Sequence, residues 1–278
     1  MPVDLLLCEG APNSPDVRIL TKLLSGFCGE VRPSGPKYGM GEKILARREA
    51  IGSLRIAGLL DGDFQVDWPI PEPLQWSASG TSFGWRWGRK EVENYIIDPE
   101  VVLRSLGWDT DRGRVYRNAL EAAADSIQVY EAARTALAFS RKRFNPLPSS
   151  WGRARGGDKH EFPDDLSEGA CRQGIQDIVG SHGKGQSVLI EEVITQFDRL
   201  LPDFRAGGVR RNAYLGTYAG KDLLLAMETG LGTFGFNNGG AFREKILLGI
   251  EKTDSDIATW VPEWQALRDA VESFTGVF

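Results

Sequence analysis

The chain is short of the residues that several common kinds of site require. It has three cysteines in 278 residues, Cys8, Cys28 and Cys171, which are too few and too scattered for a disulfide framework or a zinc site. Its two histidines, His160 and His182, lie in polar segments without the local signature of a Ser-His-Asp or Cys-His arrangement. No apolar stretch approaches the roughly 20 residues needed to cross a bilayer. These absences predict a protein of a reducing compartment, by default the cytoplasm, with no membrane partner.

Two further absences concern nucleotides and nucleic acids. The segments that contain Gly-Lys, residues 180–184 and 216–222, lack the spacing and the following Ser or Thr of a Walker A loop. The chain is therefore not expected to hydrolyse ATP. Its formal net charge is −5 and its pI is about 5.3, so the protein as a whole does not attract nucleic acid by charge. Any binding to nucleic acid must be local, assisted by a metal ion, or helped by a partner.

What the chain does contain is a pair of carboxylates directly after an apolar run. The run Ile56 to Leu60 is typical of a strand buried on both faces, and Asp61 and Asp63 follow it. Ligands of open α/β sheets bind beyond the carboxyl ends of such strands, and side chains at i and i+2 of an extended segment lie on one side. We therefore expect both carboxylates to converge on a metal site. The alternative is that Asp-Gly-Asp is only a turn, which these residues also favour.

A second acidic strand end lies near the N-terminus. Residues 3–8 predict a buried strand that ends at Glu9, and Ser14 and Pro15 predict the start of a helix that contains Asp16. This order of strand, loop and helix predicts the opening of a βαβ unit. Further elements are expected as strands at 27–31, 55–60 and 83–87 and as a helix at 42–53.

The pattern changes to helices beyond Gly107. Helical periodicity predicts a long helix over 114–144, with an apolar stripe that includes Val115. Shorter helices are predicted over 166–179, 188–201, 222–228, 241–251 and 263–274. We therefore expect an α/β fold, a parallel sheet flanked by helices with a mostly helical C-terminal part. Its expected divisions are a catalytic domain at 1–107, a helical insertion or domain at 108–212, and C-terminal helices at 213–278 that return to the first domain.

A basic segment occurs within this acidic chain. Residues 140–157 contain no acid and include Trp151, whose indole is available for stacking on a base. A phosphate backbone can follow such a local excess of cations. The residues expected to contact nucleic acid are Lys37, in an earlier glycine-rich loop, and Arg141, Lys142, Arg143, Arg153 and Arg155. The alternative is a solvated helix end followed by a loop.

Three short motifs, taken in order, resemble one known family. They are Leu-Leu-Cys-Glu9-Gly10 followed by Asp16-Val17, Gly-Leu-Leu-Asp61-Gly62-Asp63, and Arg89-Lys90-Glu91-Val92-Glu93-Asn94-Tyr95. Together they resemble the TOPRIM domain of the overcoming-lysogenization-defect nucleases. The last motif is similar to TOPRIM proteins of the DUF4435 type, which occur in bacterial anti-phage systems beside an ABC-type ATPase. The resemblance covers residues 3–103, with a return at Gly220-Lys221.

The resemblance implies a small parallel sheet flanked by helices, with Mg²⁺ or Mn²⁺ bound by acids at the strand ends. The implied metal ligands are Glu9, Asp16, Asp61, Asp63 and Glu93. The implied catalytic residues are Glu9, Asp61, Asp63 and Glu93, with Lys221 as a cation that steadies the charge growing on phosphate. The interval between Glu9 and Asp16 is longer than in the family. Asp16 therefore has a second interpretation, as a helix-start carboxylate favoured by the dipole.

The chemistry of crowded carboxylates agrees with that implication. They raise one another's pKa unless a cation pairs them, and Mg²⁺ takes a few carboxylates and leaves positions for phosphate oxygens. We expect a Mg²⁺- or Mn²⁺-dependent nuclease that hydrolyses phosphodiester bonds in DNA or RNA, as the effector of an anti-phage system. Expected partners are nucleic acid, an ABC-type ATPase and a second copy in a homodimer. The alternatives are a non-catalytic TOPRIM-like binding or scaffolding subunit, and nucleotidyl transfer of the primase kind.

Overall fold

The structure is a computed structural model, and it describes most of the chain. The described residues are 2–35, 39–64, 73–78, 80–141, 147–148, 150–152, 154–155, 159–182 and 188–276. At 154–155 and 159–160 the description is of the backbone alone. Within these ranges the chain has an α/β fold, with helices on both faces of a mostly parallel sheet and a largely helical C-terminal part. The expected fold class is confirmed.

The N-terminal part forms a five-stranded sheet. Its strands, in spatial order, are β2 (Cys28–Pro33), β1 (Val3–Cys8), β3 (Ile56–Leu60), β5 (Thr81–Arg86) and β4 (Leu74–Ala78). The first four are parallel, whereas β4 runs antiparallel to β5. Cys8 lies beside Leu59 and Leu60 beside Arg86, so β1, β3 and β5 end at one edge. The residues that follow these three strands therefore meet there.

Helices make up most of the remaining described structure. They are α1 (Pro15–Leu23), α2 (Met40–Ile51), α3 (Glu93–Ile96), α4 (Pro99–Leu106), α5 (Thr110–Phe139), α6 (Glu168–Ser181), α7 (Ile190–Phe204), α8 (Val209–Asn212), α9 (Tyr214–Thr217), α10 (Gly220–Ala226), α11 (Gly239–Lys252) and α12 (Pro262–Glu272). Short 3-10 helices occur at Leu231–Phe234 and Ile257–Thr259, and β6 (Ala154–Arg155) pairs with β7 (Lys159–His160). Among the described residues, no helix combines the length and apolar composition of a membrane-spanning segment.

Several elements differ from the predictions in instructive ways. The patterns predict no strand at β4, because its residues are exposed or half-buried and no apolar run marks it. The long helix is α5, which ends at Phe139, and Val115 of its expected stripe is 45% exposed while the neighbouring Tyr116 is buried. Ser14 precedes Pro15 as expected, but its hydroxyl makes no cap bond to α1.

Two layers of side chains bury the sheet. Side chains of successive strand residues alternate between faces, so Leu6 and Leu7 of β1 belong to different clusters. The smaller cluster lies under α2 and consists of Leu5, Leu7, Met40, Ile44, Ile56, Leu60 and Phe83. The larger cluster extends from Val3 in β1 to Val271 in α12. Because it includes residues on both sides of positions 107 and 212, the division of the chain into three parts stays a prediction.

Gly84 in β5 provides a test of the sheet packing. It has a φ of 130°, and a Cβ atom there would lie 2.1 Å from the carbonyl oxygen of Gly58 in β3. The backbone conformation and the clash both oppose any side chain. We expect Gly84→Ala to lower the free energy of unfolding by about 2–6 kcal/mol, measured by urea unfolding with tryptophan fluorescence.

Gly232→Ala is the matched control. A Cβ atom at Gly232 meets nothing within 4 Å, and its backbone is not in the left-handed region. Its free energy of unfolding should change by less than about 1 kcal/mol. If Gly84→Ala is as stable as the parent, the close approach of β5 to β3 is wrong.

Candidate functional site

Glu9 and Asp61 lie side by side at the carboxyl edge of the sheet. They follow the neighbouring strands β1 and β3, and the Asp61 amide donates a hydrogen bond to Oε1 of Glu9 at 3.1 Å. Oδ1 of Asp61 is buried and has no hydrogen-bond partner among the described atoms. A buried polar atom without a partner costs free energy unless a ligand or water satisfies it. The structure thus brings the first two acidic strand ends together.

The loop after β3 packs against the segment that follows β5. The Trp87 amide donates to the last carbonyl of β3 at 2.9 Å, and the Asp63 amide donates to the carbonyl of Lys90 at 2.7 Å. A Cβ atom at Gly62 would lie 2.3 Å from the carbonyl oxygen of Arg89, so only glycine fits there. This close approach explains the glycine of Asp-Gly-Asp. Turn geometry begins at Asp63, and the motif places an acid on each side of the contact.

Asp63 does not continue the strand. β3 ends at Leu60, and Asp63 adopts a left-handed conformation with a φ of 45°. The expected convergence of Asp61 and Asp63 required an extended segment, and that geometry is not observed. Asp63 lies near the guanidinium of Arg86 at the end of β5. Burial lowers the pKa of Arg86, and the carboxylates of Asp63 and Glu9 oppose that effect.

Two more carboxylates, Glu91 and Glu93, come from the segment after β5. They are buried, with 7% and 4% of their surface exposed. Nζ of Lys221 lies 3.7 Å from Oε1 of Glu91 and 3.7 Å from Oε2 of Glu93. Oε2 of Glu91 also accepts the Lys221 amide at 2.9 Å, at the start of α10. The lysine side chain is 59% exposed, so it stands between these carboxylates and solvent.

The glycine of the Gly-Lys pair has a packing role. A Cβ atom at Gly220 would lie 2.4 Å from the amide nitrogen of Asn94 in α3. Asn94 is fully buried, and its side chain accepts from the Glu91 amide at 2.9 Å and donates to the carbonyl of Tyr218 at 3.0 Å. The motif that contains Asn94 therefore fixes α10, and with it Lys221, against the sheet edge.

The sequence analysis missed a second cation at this edge, Arg243 in α11. Its Nη1 lies 3.7 Å from Oε1 of Glu93, and its side chain is 42% exposed. α11 is held against α1 by Arg18, whose guanidinium donates to Glu244 and to Glu251 at 2.6 Å each. No motif marks Arg243, because only these contacts between distant parts of the chain bring it to the acids.

Asp16 belongs to the same cluster. It lies in the first turn of α1 and is 9% exposed. Burial, followed by the charges of Glu93 and Glu9, raises its pKa to about 7, and Lys221 opposes this effect. Asp16 is therefore a helix-start carboxylate that also interacts with the other acids, and its role as a metal ligand stays a prediction.

Burial and mutual repulsion determine the charge states of the site. Burial raises the pKa of Asp61 well above its usual range, and repulsion from Asp16 and Glu91 adds to it. Burial also raises the pKa of Glu93, while Lys221 opposes the shift. For Lys221, partial loss of hydration beside the protein lowers the pKa, but the surrounding acids outweigh this effect and raise the pKa overall. The charge of each of these groups therefore affects the pKa of the others.

A second ionic network adjoins the loop that carries Asp61. Lys90 is 6% exposed, and its Nζ lies 3.9 Å from Oε2 of Glu131 in α5 and 3.8 Å from the ring centroid of Phe64. Burial lowers the pKa of Lys90 to about 8. Arg134 of α5 pairs with Asp222 of α10. The network thereby connects the loop after β3 with α5 and with α10, the helix that carries Lys221.

The described residues contain no group of three or more His, Cys, Asp or Glu side chains arranged to hold a metal ion. The five-carboxylate ligand set implied by the resemblance is therefore not gathered in one shell, and Lys221 and Arg243 already pair with Glu93. Mg²⁺ needs only one or two carboxylates, however, and completes its coordination with water and substrate phosphates. Glu9 and Asp61 offer two such carboxylates at adjoining strand ends, and one buried oxygen without a described partner.

The basic segment is described only in part. Arg141 is exposed beyond the end of α5 and lines an open pocket of about 310 Å³ together with Glu192 and Gln196. Arg155 lies in β6, where only the backbone is described. The other residues expected to contact nucleic acid lie outside the described residues and are Lys37, Lys142, Arg143 and Arg153.

Trp151 is half-buried and packs against neighbouring helices. Its ring packs on Tyr130 with the centroids 4.7 Å apart, and a Cβ atom at Gly174 would lie 2.7 Å from it. Its carbonyl accepts the Tyr130 hydroxyl at 3.0 Å. The indole thus packs in part against the large core cluster, and its stacking role stays a prediction.

The raised pKa values predict that the metal-free protein loses stability as the pH rises. The pKa of Asp16 is 3.8 in the reference state and about 7 in the folded chain, so the folded state binds more protons between these values. Its contribution is fully present below the lower pKa and is lost as the pH rises through the higher one. With a chelator present, we expect this group to lower the free energy of unfolding by about 2–3 kcal/mol from about pH 5 to about pH 8.

Urea unfolding of Asp16→Asn at the same two pH values isolates this contribution. The variant should lose less stability than the parent on going to the higher pH. Asp177→Asn, at an exposed acid of α6 that accepts from Gln173, is the control and should behave as the parent does. Equal pH dependence of Asp16→Asn and the parent would contradict the raised pKa.

Comparison with known proteins does not assign this site. No family model matches the chain, and no curated protein matches it. Membership of the TOPRIM family therefore stays a prediction that depends on the three motifs.

Proposed function

We propose that this protein is a metal-dependent nuclease that hydrolyses phosphodiester bonds in DNA or RNA. The observation that supports this most strongly is the pairing of Glu9 with Asp61 at neighbouring parallel strand ends, with a buried Asp61 oxygen that no described atom satisfies. Lys221 stands at the same edge, with more than half of its side chain exposed. Carboxylates beside an exposed amine suit a substrate that is negatively charged and binds through a divalent ion, as a phosphodiester does.

Glu9 and Asp61 are the residues that would hold Mg²⁺ or Mn²⁺, with Asp16, Asp63 and Glu93 around them. An all-oxygen donor set suits these hard cations. When bound, such an ion polarises a phosphoryl oxygen and lowers the pKa of a water molecule. The hydrogen bond from the Asp61 amide orients the Glu9 carboxylate in advance, which reduces the ordering that ion binding requires.

Lys221 is assigned to the charge that develops on the phosphate. Its Nζ is held at 3.7 Å by Glu91 and by Glu93, so the amine is in position before a substrate arrives. Partial loss of hydration lowers its pKa, but the surrounding acids outweigh that effect, so the amine is cationic at neutral pH. A positioned cation lowers the barrier without reorganisation at the moment of reaction.

Asp61→Asn tests the nuclease proposal directly. We expect the parent to cleave plasmid, single-stranded DNA or tRNA only with Mg²⁺ or Mn²⁺, and Asp61→Asn to be at least about 100-fold slower, because an ion contributes several kcal/mol to such a reaction. Asp177→Asn is the matched control, since it removes an exposed acid of α6, and it should cleave at the parent's rate. Equal rates for Asp61→Asn and the parent would show that the acid is not catalytic.

Metal binding has its own measurement in thermal unfolding. Mg²⁺ or Mn²⁺ at 100 times its Kd should stabilise the parent by about 2.7 kcal/mol and therefore raise its Tm. The Tm of Asp61→Asn should rise less. With a chelator, Asp61→Asn should melt no lower than the parent, because the substitution removes a buried like charge. An equal metal-induced rise in both proteins would mean that the ion binds elsewhere.

A non-catalytic binding or scaffolding subunit is the second candidate, and one observation favours it. Lys221 and Arg243 already lie beside Glu93, and no three acids of the described residues are arranged around an ion position. In that case the carboxylates serve the fold, and the protein binds nucleic acid or a partner without cutting. Absence of cleavage by the parent with every metal and substrate would support this candidate.

The wider role that we propose is that of an anti-phage effector, a homodimer controlled by an ABC-type ATPase. The support is the resemblance of the three motifs, together with a net charge of −5 that opposes unassisted binding to nucleic acid. Size-exclusion chromatography with light scattering, followed by cleavage assays on each fraction, tests it. We expect activity in a dimer fraction or a partner-bound fraction. A fully active monomer without a partner would contradict the proposal.

A further inference from the structure

We infer that Arg243 and Lys221 together form a phosphate-binding edge that holds the backbone of a nucleic acid strand at the acid site. The inference rests on the proposed nuclease and adds the residues that bind its substrate. Both cations reach Glu93, from two different helices. Nζ of Lys221 lies 3.7 Å from Oε2, and Nη1 of Arg243 lies 3.7 Å from Oε1. Glu93 is 4% exposed, whereas the two cationic side chains are 59% and 42% exposed.

The distances leave these cations able to bind a further anion. Charge-assisted hydrogen bonds are about 2.7–2.9 Å long, so contacts of 3.7 Å attract by charge without occupying the N–H donors. Oε2 of Glu93 indeed has no hydrogen-bond partner among the described atoms. Arg18 shows the opposite arrangement, because its guanidinium makes four hydrogen bonds of 2.6–3.1 Å to Glu244 and Glu251. The donors of Arg18 are thus used by its two carboxylate partners, whereas the contact of Arg243 with Glu93 is too long to be a hydrogen bond.

Helix α1, which carries Asp16, also fixes the position of the helix that carries Arg243. Arg18 binds Glu244, the residue next to Arg243, and Arg18 lies in α1 two positions after Asp16. α11 therefore keeps its place relative to the acid cluster. The backbone of Arg243 is therefore positioned beside the acids before a phosphate binds, and only its side chain has to be ordered on binding.

Lys221 and Arg243 belong to C-terminal helices, α10 and α11, whereas Glu9 and Asp61 follow strands of the sheet. A phosphate bound by the two cations would have further oxygens for an ion held by the two strand-end carboxylates. A purely structural role for Arg243, as a countercharge of Glu93, is the competing explanation. That role predicts a change in stability without a change in the salt dependence of nucleic acid binding.

The salt dependence of binding distinguishes these explanations. Each phosphate contact contributes about 0.9 to the slope of log K against log salt concentration for duplex DNA and about 0.7 for single strands. Fluorescence anisotropy of labelled duplex and single-stranded oligonucleotides would be measured with the full chain carrying Asp61→Asn, so that no strand is cut. When Arg243→Gln or Lys221→Gln is introduced into this protein, we expect the slope to decrease by about 0.7–0.9. The affinity lost between about 50 and 200 mM salt should then be about threefold smaller.

Two further variants complete the design. Arg243→Lys retains a cation and should retain the slope, since lysine also binds phosphate as a point charge. Arg104→Gln is the matched control, because Arg104 is 48% exposed and lies 3.9 Å from Glu100. It should leave the slope unchanged. Thermal melts of every variant report folding independently of binding.

The outcomes separate this inference from the proposed function. A reduced slope for Arg243→Gln but not for Arg104→Gln supports the phosphate-binding edge, even if the parent cleaves nothing and the nuclease proposal fails. An unchanged slope overturns the edge, even if the parent cleaves and the nuclease proposal stands. A lowered Tm of Arg243→Gln with an unchanged slope assigns the residue to stability alone. Failure of the Asp61→Asn protein to bind either form of nucleic acid also overturns it.

Discussion

The geometry of the site depends on one close backbone contact, between Gly62 and the segment that follows β5. A Cβ atom at Gly62 would lie 2.3 Å from the carbonyl oxygen of Arg89 and 2.5 Å from that of Trp87. Main-chain hydrogen bonds on each side of this contact, at 2.9 and 2.7 Å, hold the loop and the segment as one unit. Asp61 therefore lies close enough to Glu91 for their charges to interact. Burial is the main cause of the raised pKa of Asp61, and repulsion from Glu91 adds to it. Any larger residue at this glycine would move several acids at once.

The same contact fixes three consecutive charged side chains, each directed at a different part of the helical region. Arg89, Lys90 and Glu91 are 9%, 6% and 7% exposed, and burying a charge is costly unless a partner accompanies it. Their partners are, in order, Asp98 with Glu263, then Glu131, then Lys221. The segment therefore joins the sheet to α4, α12, α5 and α10. Residues 89–95, the third of the motifs on which the family resemblance depends, thus form a junction between the sheet and the helices. Glu91 and Glu93 are the two residues of this motif that lie beside Lys221.

Local signals were sufficient to predict the strand ends that carry Glu9 and Asp61. Apolar runs followed by acids mark them, and parallel strands joined by crossovers end at a common edge. The left-handed backbone of Asp63 could not be predicted, because it depends on how the loop meets the segment after β5. Arg243 could not be predicted either, since ion pairs between α1 and α11 bring it to the acids. Periodicity likewise defined α5 but not its buried face, because Val115 and Tyr116 both fit an apolar stripe.

The charge distribution of the site is uneven, and the unevenness bears on how it would work. Burial is the first cause of the raised pKa at Asp16, Asp61 and Glu93, so the metal-free fold retains acids that apolar residues would replace at a gain in stability. Lys221 and Arg243 approach Glu93, whereas Oδ1 of Asp61 has no partner among the described atoms. The exposed cations Lys221 and Arg243 thus lie beside Glu93, while the Arg86 guanidinium interacts with Asp63 and Glu9. Under the proposed nuclease function, a divalent ion would pair with the strand-end acids Glu9 and Asp61, and the phosphate oxygens of the substrate would meet the exposed cations.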